Sequence, residues 1–152
     1  MERHGSLLLV EDEDVLRGLV AQFLRGLGFR LIEAGDGPEG AARFADSGPF
    51  DLALVDLNLP GFSGVEVCRR IRGERPDQPI IICSAAILPD HEAALHSLGI
   101  HHYLTKPYHP EALVAHIAEE IGPRAMRRGG TPSRVPEPRA GTLRLPTSAR
   151  AN

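Results

Sequence analysis

Five short apolar runs alternate with segments of helical spacing, and this alternation constrains the fold more than any other feature of the sequence. The runs cover residues 6–10, 29–34, 52–55, 79–83 and 100–105. Runs this short and this apolar are typical of strands that are buried on both faces of a parallel sheet. Five such strands separated by helical segments predict a doubly wound α/β fold, a five-stranded parallel sheet with helices on both faces.

The segments between the runs carry apolar residues three and four positions apart, which is the spacing of an amphipathic helix. They predict five helices, over residues 15–27, 38–46, 64–72, 89–98 and 109–121. Asp14 and Ser63 stand where an N-cap is needed, and Gly28 stands where the first helix must end. These boundaries leave short loops at both edges of the predicted sheet.

Four of the predicted strands deliver polar side chains at their carboxyl ends. Glu11 and Asp12 follow the first strand, Asp56 the third, Ser84 the fourth and Lys106 the fifth. An aspartate after a strand is often only a turn former, so Asp56 alone predicts little. In open α/β sheets, however, ligands bind at the carboxyl ends of the strands. With the strand order 2-1-3-4-5, the acids of strands one and three would meet at the switch point.

Glu11, Asp12 and Asp56 form a candidate magnesium site. Three carboxylates held about 4 Å apart would repel one another by roughly 4 kcal/mol per pair at a surface-like dielectric. Mg²⁺ would remove this repulsion, because it is a hard cation that binds through one or two carboxylates, water and a phosphate oxygen. No cysteine and histidine set for zinc is visible. Lys106 and the Ser84 hydroxyl would bind phosphoryl oxygens on the other side, which leaves Asp56 free to attack a phosphoryl group.

Charge divides the chain into an acidic body and a basic tail. From residue 122 onward there are seven arginines and one glutamate, a net charge of +6, which leaves −9 on residues 1–121 for the formal total of −3. We interpret residues 1–121 as one domain and residues 122–152, rich in Pro, Gly and Arg, as a disordered tail. No direct nucleic acid binding is expected, because the tail lacks aromatic residues and the acidic body disfavours contact with DNA.

The cysteines and histidines are predicted to have ordinary structural roles, and the hydropathy of the chain predicts a cytoplasmic location. Cys68 and Cys83 have no Cys-x-x-Cys spacing and are interpreted as reduced core thiols. The histidines on the helix patterns, and the pair His101 and His102 before the fifth strand, are interpreted as structural or solvated. No run approaches the roughly 18 apolar residues of a membrane span, and the start of the chain lacks the apolar segment of a signal peptide.

Four segments at the predicted strand ends resemble the receiver domain of two-component response regulators, the family that includes the single-domain chemotaxis regulator. They are residues 8–13 (Leu-Leu-Val-Glu-Asp-Glu), 54–64 (Leu-Val-Asp-Leu-Asn-Leu-Pro-Gly-Phe-Ser-Gly), 81–85 (Ile-Ile-Cys-Ser-Ala) and 103–108 (Tyr-Leu-Thr-Lys-Pro-Tyr). The resemblance spans residues 6–121 and implies a flavodoxin-like three-layer sandwich. It departs from the family pattern at residues 99–102, Gly-Ile-His-His, where the family has small and acidic residues.

The resemblance implies a role for each matched residue. Asp56 would be the phosphoacceptor, Mg²⁺ would be bound by Glu11, Asp12, Asp56 and the backbone carbonyl of Asn58, and the phosphoryl group would be bound by Ser84 and Lys106. Tyr103 would move inward on activation and, with Ser84, switch the face formed by the fourth helix, the fifth strand and the fifth helix. The Lys106–Pro107 peptide bond would be cis.

The leading hypothesis is a phosphorylation-activated regulator, not an enzyme, with self-phosphorylation from a donor and autodephosphorylation as its only reactions. A sensor histidine kinase or a histidine phosphotransferase would donate to Asp56, and a downstream protein would be the target. The protein would act as a monomer or a phosphorylation-dependent dimer, without a membrane. Two alternatives remain: a pseudo-receiver that acts as a constitutive interaction scaffold, and a small phosphohydrolase, which would need a second acid/base group and a cap.

Overall fold

The computed structural model describes residues 5–130, with side chains as far as residue 122. The strands are β1 (Ser6–Val10), β2 (Arg30–Ala34), β3 (Leu52–Val55), β4 (Ile80–Ser84) and β5 (Tyr103–Thr105). The helices are α1 (Asp14–Gly26), α2 (Gly37–Ser47), α3 (Gly64–Glu74), α4 (Pro89–Ser97) and α5 (Pro110–Gly130). Strands and helices therefore alternate along the chain as the apolar pattern predicts.

The five strands form one parallel sheet in the order β2-β1-β3-β4-β5. β1 pairs with both β2 and β3, and Val10 lies opposite Ala34 on one side and Val55 on the other. The order and the direction of the strands confirm the doubly wound prediction. The point where the strand order reverses lies between β1 and β3, so the residues that follow these two strands face the crevice where such sheets bind ligands.

Successive strand residues point to opposite faces and build two cores, one on each side of the sheet. Strand residues such as Leu8, Ala53 and Ile82 pack with residues of α2, α3 and α4, among them Phe44, Cys68 and Leu95. The alternate residues, such as Leu7, Leu54 and Ile81, pack with residues of α1 and α5, among them Leu24 and Ile117. Each fully buried leucine or isoleucine contributes about 1.5–3 kcal/mol to stability. The result is the three-layer sandwich that the resemblance implies.

β5 is shorter than the apolar run at residues 100–105 predicts. Ile100 is buried, but its N–H donates to the carbonyl of Leu95 at 2.9 Å and closes the last turn of α4. The strand begins only at Tyr103. An apolar run shows which residues are buried, and here part of that run is buried as a helix end instead of as a strand.

One of the two predicted N-caps is shifted by a residue, and the other occupies its position without a side-chain hydrogen bond. Glu13 holds the N-cap position of α1, and Asp14 is its first residue, where it pairs with Arg17 at 2.9 Å. An acid in the first helical turn is stabilised by the helix dipole and by a cation three residues on. Ser63 does occupy the N-cap of α3, but its side chain makes no capping hydrogen bond.

The last helix continues beyond the boundary predicted at residue 121. Gly122 has φ 82° and ψ 164°, which breaks α5, and helical backbone then resumes as far as Gly130. Helical backbone thus covers residues 123–130, the first part of the predicted tail, where arginine, alanine and methionine favour helix. Residues 131–152 lie outside the described residues. Within the described part of the chain, no helix has both the length and the apolar character to cross a membrane.

Cys68 and Cys83 are buried, free thiols. Burial raises the pKa of each thiol to about 12, so at about pH 8 almost none of the reactive thiolate is present. We expect a chromogenic disulfide reagent to leave the folded protein unmodified and to titrate both cysteines in denaturant. Rapid reaction of either thiol under native conditions would contradict this burial.

Candidate functional site

The carboxyl ends of β1 and β3 lie side by side and hold two acids at the edge of the sheet. Because Val10 is in register with Val55, the next residues, Glu11 and Asp56, are also adjacent. The N–H of Asp56 donates to the Val10 carbonyl at 3.1 Å, which extends the pairing by one residue. Glu11 and Asp56 are only 3% and 4% exposed, whereas Asp12 is exposed. The sheet therefore buries two carboxylates and leaves a third at the mouth of the site.

Lys106 reaches these acids from β5. Its N–H donates to the Ser84 carbonyl at 3.0 Å, which continues the pairing of β4 with β5. The Lys106–Pro107 peptide bond is cis, as the resemblance implies. The ammonium nitrogen Nζ lies 2.8 Å from Asp56 Oδ2 and 2.7 Å from Glu11 Oε1. One cation thus binds both buried carboxylates.

Each buried carboxylate divides its two oxygens between the lysine and a backbone amide. Asp56 Oδ1 accepts a hydrogen bond from the Asn58 N–H at 3.1 Å. Glu11 Oε2 accepts one from the Glu13 N–H, also at 3.1 Å. Charge-assisted bonds of this kind are stronger than neutral ones and fix the plane of a carboxylate. The two acids are therefore held in defined orientations.

Burial and these hydrogen bonds together shift the pKa values of Glu11 and Lys106. Burial raises the pKa of Glu11 above its ordinary value, although the hydrogen bonds from Lys106 and Glu13 act in the other direction. Burial alone would lower the pKa of Lys106, but its hydrogen bonds to Asp56 and Glu11 outweigh this effect and raise it. The lysine is therefore charged at neutral pH, between two carboxylates that compete for it.

The three acids offer a donor set that fits Mg²⁺. Glu11, Asp12 and Asp56 each place one carboxylate oxygen so that all three atoms lie within 4.8 Å of one another. All three donors are oxygens, which a hard cation prefers, and the exposed Asp12 leaves room for the water molecules that Mg²⁺ usually retains.

The other predicted site residues make different contacts, and Tyr103 lies at the start of β5 and not at its carboxyl end. Ser84 is fully buried at the end of β4, and its hydroxyl donates to the Ala86 carbonyl at 3.3 Å. Tyr103 is half-buried at the start of β5, packs against the core under α4, and donates its hydroxyl to the Ile100 carbonyl at 3.3 Å. The Asn58 side chain is exposed, and this residue reaches the acids through its backbone N–H.

Two further residues lie beside the site, and neither is predicted from the sequence to have a role there. Arg17 in α1 donates to the backbone carbonyl of Glu11 at 2.7 Å and so anchors the loop after β1. Tyr108 is half-buried two residues after Lys106, and burial raises the pKa of its phenol, with smaller contributions from the charges of Cys83, Glu11 and Asp56. The position of Tyr108 directly after Lys106-Pro107 is the only feature of the sequence that could have indicated its place.

The fold and the site define a class of small doubly wound α/β domains, in which an acid cluster and a lysine meet at the carboxyl edge of a parallel sheet. The chain belongs to the response regulator receiver domain family, whose model matches residues 7–118. Its five parallel strands in the order 2-1-3-4-5 are those of the CheY-like receiver structures it resembles. Receiver domains of two-component response regulators are signalling proteins and not conventional enzymes.

Relatives and solved structures agree with this membership. The sensory transduction protein RegX3 of Mycolicibacterium smegmatis is 41% identical over 112 residues, which cover 74% of this chain and 48% of RegX3. A CheY-like receiver domain protein from Methanospirillum hungatei has a TM-score of 0.73 at 26% identity and covers 77% of this chain and 93% of its own. TrrA from Thermotoga maritima, solved in complex with Mg²⁺-BeF, has a TM-score of 0.65 at 30% identity and covers 76% of this chain and 97% of its own. The chain spans about half the length of the curated relatives it matches.

Proposed function

We propose that Asp56 accepts a phosphoryl group from a sensor histidine kinase or a histidine phosphotransferase in a Mg²⁺-dependent reaction, and that this changes which partner the domain binds. The observation that carries the proposal is the contact of Lys106 Nζ with Asp56 at 2.8 Å and with Glu11 at 2.7 Å inside a cluster of three acids. An acid cluster alone would serve a metal. The added lysine supplies a fixed positive charge for phosphoryl oxygens as well.

The proposed chemistry uses the Asp56 carboxylate as nucleophile and the Lys106 ammonium as its charge partner. A carboxylate oxygen of Asp56 attacks the phosphorus of a phosphohistidine, the P–N bond breaks with its electron pair on the imidazole nitrogen, and an acyl phosphate forms. Attack of water on the same phosphorus later releases inorganic phosphate and restores the carboxylate. Lys106 shifts from pairing with the carboxylate to pairing with a phosphoryl oxygen. Self-phosphorylation from a donor and autodephosphorylation are thus the reactions assigned to the chain.

Mg²⁺ would be held by Glu11, Asp12 and Asp56, with the backbone carbonyl of Asn58 as the further ligand. When bound, the ion supplies positive charge to the equatorial oxygens of the transferred group. Glu11 and Asp56 would give up part of their bonding to Lys106 in return. A relative of known structure, TrrA, is described in complex with Mg²⁺-BeF, which supports the same ion here.

The switch is assigned to Ser84 and Tyr103. The Ser84 hydroxyl would leave the Ala86 carbonyl for a phosphoryl oxygen, and Tyr103 would move inward into the space this opens. Support comes from the register of the edge strands: Ser84 lies opposite Thr105, two residues after Tyr103 on β5. The surface that changes is the face formed by α4, β5 and α5.

The partners and setting that belong to this proposal come from the family and from the charge of the chain. The domain would receive phosphate in the cytoplasm, which suits its two free cysteines. It would pass the change to a downstream protein as a monomer or as a phosphorylation-dependent dimer. Direct nucleic acid binding is not part of the proposal, because residues 1–121 carry a net charge of −9.

Incubation with Mg²⁺ and acetyl phosphate is expected to add the mass of one phosphoryl group to the wild-type protein. The variant Asp56→Asn should show no gain, because an amide oxygen is a poor nucleophile. Asp46→Asn, at an exposed position on α2, is the matched control and should behave as wild type. Mass spectrometry of the intact protein reads the outcome.

Three results would count against the proposal. A mass gain that persists in Asp56→Asn would place the phosphoryl group elsewhere. Multiple turnover of a small phosphoester would favour the phosphohydrolase. Equal affinity for a partner with and without phosphodonor would favour the constitutive scaffold.

A further inference from the structure

A second group of side chains of metal-ligand type lies at the opposite end of β5 from Lys106, between the segment before β5 and the middle of α5. His102 Nε2 lies 2.6 Å from His116 Nδ1 and 3.5 Å from Glu119 Oε1. One ligand atom of each of these three residues lies within 4.8 Å of the others. His116 and Glu119 are three residues apart on α5, so they project from the same face of the helix.

Glu120 orients the first of these histidines. Its Oε1 lies 2.8 Å from His102 Nδ1, so the ring donates a hydrogen bond from Nδ1 to this carboxylate. The proton is thereby held on Nδ1, and the lone pair of Nε2 faces His116 and Glu119. A carboxylate on the outer nitrogen of a histidine is the arrangement that supports histidine ligands in metal sites.

We propose that His102, His116 and Glu119 bind a divalent transition-metal ion of the zinc class, with Glu120 as the residue that positions His102. Two imidazole nitrogens and a carboxylate are a donor set of catalytic and regulatory zinc ions, which keep water as a fourth ligand. Imidazole nitrogen favours Zn²⁺ and its neighbours over Mg²⁺, which takes oxygen ligands. The two sites of this domain are therefore separated by ligand chemistry as well as by position.

Binding requires one proton to move and a small widening of the cluster. In the metal-free arrangement His116 donates its Nδ1–H to His102 Nε2, since His102 holds its own proton on Nδ1. The ion replaces this bridging proton, which His116 regains on Nε2, so no net proton is released. Zinc–nitrogen bonds of about 2.0–2.1 Å in a tetrahedral site require the two nitrogens to separate to about 3.3 Å. His116 is only half-buried, so its ring has room to shift.

The cluster is open to solvent and lies next to the face formed by α4, β5 and α5. His102 and Glu119 line a pocket of about 490 Å³, together with Tyr103, and the Glu119 side chain is 71% exposed. A bound ion would tie the residue before Tyr103 directly to α5. The Gly-Ile-His-His departure from the family pattern at residues 99–102 supplies one of the ligands. Metal binding would therefore hold β5 and α5 together next to the face that the proposed function assigns to partners.

Titration of the 152-residue chain with Co²⁺, in excess Mg²⁺ that occupies the acid site, tests the proposal. The wild type is expected to bind one equivalent with the intense visible absorption of a low-coordinate Co²⁺ ion, and Zn²⁺ should displace it. His116→Ala and Glu119→Gln should lose this band, and Glu120→Ala should weaken binding about 10- to 100-fold. Glu119→Gln changes an exposed side chain and guards against a variant that simply unfolds.

His109→Ala is the matched control, because His109 is an exposed histidine just before the same helix. It should bind Co²⁺ as the wild type does. Acetyl phosphate labelling of Asp56 should be unaffected in His116→Ala, so failure of this site and failure of the proposed function remain distinguishable. The inference is overturned if the wild type binds no Co²⁺, or if His116→Ala and Glu119→Gln bind it as well as the wild type.

Discussion

Gly64→Ala is expected to destabilise the protein by about 3 kcal/mol, near the upper end of overpacking penalties. A Cβ atom at Gly64 would lie 2.1 Å from the carbonyl oxygen of Asp56 and 2.7 Å from the Cα of Leu57. Both contacts are to backbone, which cannot rotate away as a side chain could. The start of α3 would have to move away from the end of β3, and the hydrogen bond from the Gly64 N–H to the Leu57 carbonyl would be strained.

Gly73→Ala on the same helix is the control for this variant. Apart from its chain neighbours and the backbone of its own helix, no atom lies within 4 Å of a Cβ built at Gly73. The change should therefore be neutral or stabilise the helix by up to about 1 kcal/mol. Urea unfolding monitored by circular dichroism measures both. Because relief of the clash displaces the backbone of Asp56 itself, phosphorylation of Gly64→Ala by acetyl phosphate should also slow by about tenfold or more. An unchanged urea midpoint would show that α3 can shift without cost.

The positions of the site residues at the strand ends are the part of the site that the sequence predicts best. Glu11, Asp56 and Lys106 follow apolar runs whose order and parallel direction are constrained by chain connectivity, so their arrival at one edge follows from the fold. The hydrogen bonds between these side chains do not follow from the fold alone. The two hydrogen bonds of Lys106 depend on the rotamers of three side chains, and the bond of Ser84 to Ala86 depends on a loop without periodic pattern.

Buried polar contacts between distant segments are the part that sequence reasoning misses. Gln78 lies in a polar connection before β4, yet it is fully buried, and its amide exchanges two hydrogen bonds with the backbone of Phe50 at 3.1 and 2.9 Å. His102 and His116 are separated by a strand and half a helix, with no spacing that marks a metal site. Their interpretation as ordinary structural histidines considered each position alone, whereas a ligand set is a property of the folded arrangement.

Lys106→Met is expected to cost about 3 kcal/mol of stability near neutral pH, because removing one partner of a buried ion pair leaves unpaired charge behind. Methionine keeps most of the volume of the side chain, so the loss is one of charge and hydrogen bonds. In the wild type the ammonium is bonded to both Asp56 and Glu11, which are almost fully buried. In the variant the two carboxylates face each other without a cation. Mg²⁺ should therefore stabilise Lys106→Met more than it stabilises the wild type.

The pH dependence separates this explanation from a simple packing defect. Burial already raises the pKa of Glu11 above its ordinary value of 4.5, and Lys106 is the main group that opposes this rise. Without the lysine the pKa of Glu11 rises further, so over the range just above 4.5 the folded protein binds more protons than the unfolded chain. Folding stability then increases as the pH falls through that range and decreases as it rises. The deficit of Lys106→Met relative to wild type should accordingly shrink towards about pH 5.

Arg43→Met serves as the comparison for this variant, since it breaks an exposed pair with Glu39 at 3.1 Å and should cost no more than about 0.5 kcal/mol. Urea unfolding at neutral and at mildly acidic pH, with and without Mg²⁺, measures all three proteins. A deficit of Lys106→Met that is the same at both pH values and insensitive to Mg²⁺ would mean that the lysine contributes through packing alone. A lysine that does not bind the two acids electrostatically could not exchange one of them for a phosphoryl oxygen. Another group would then have to supply the positive charge that phosphoryl transfer needs.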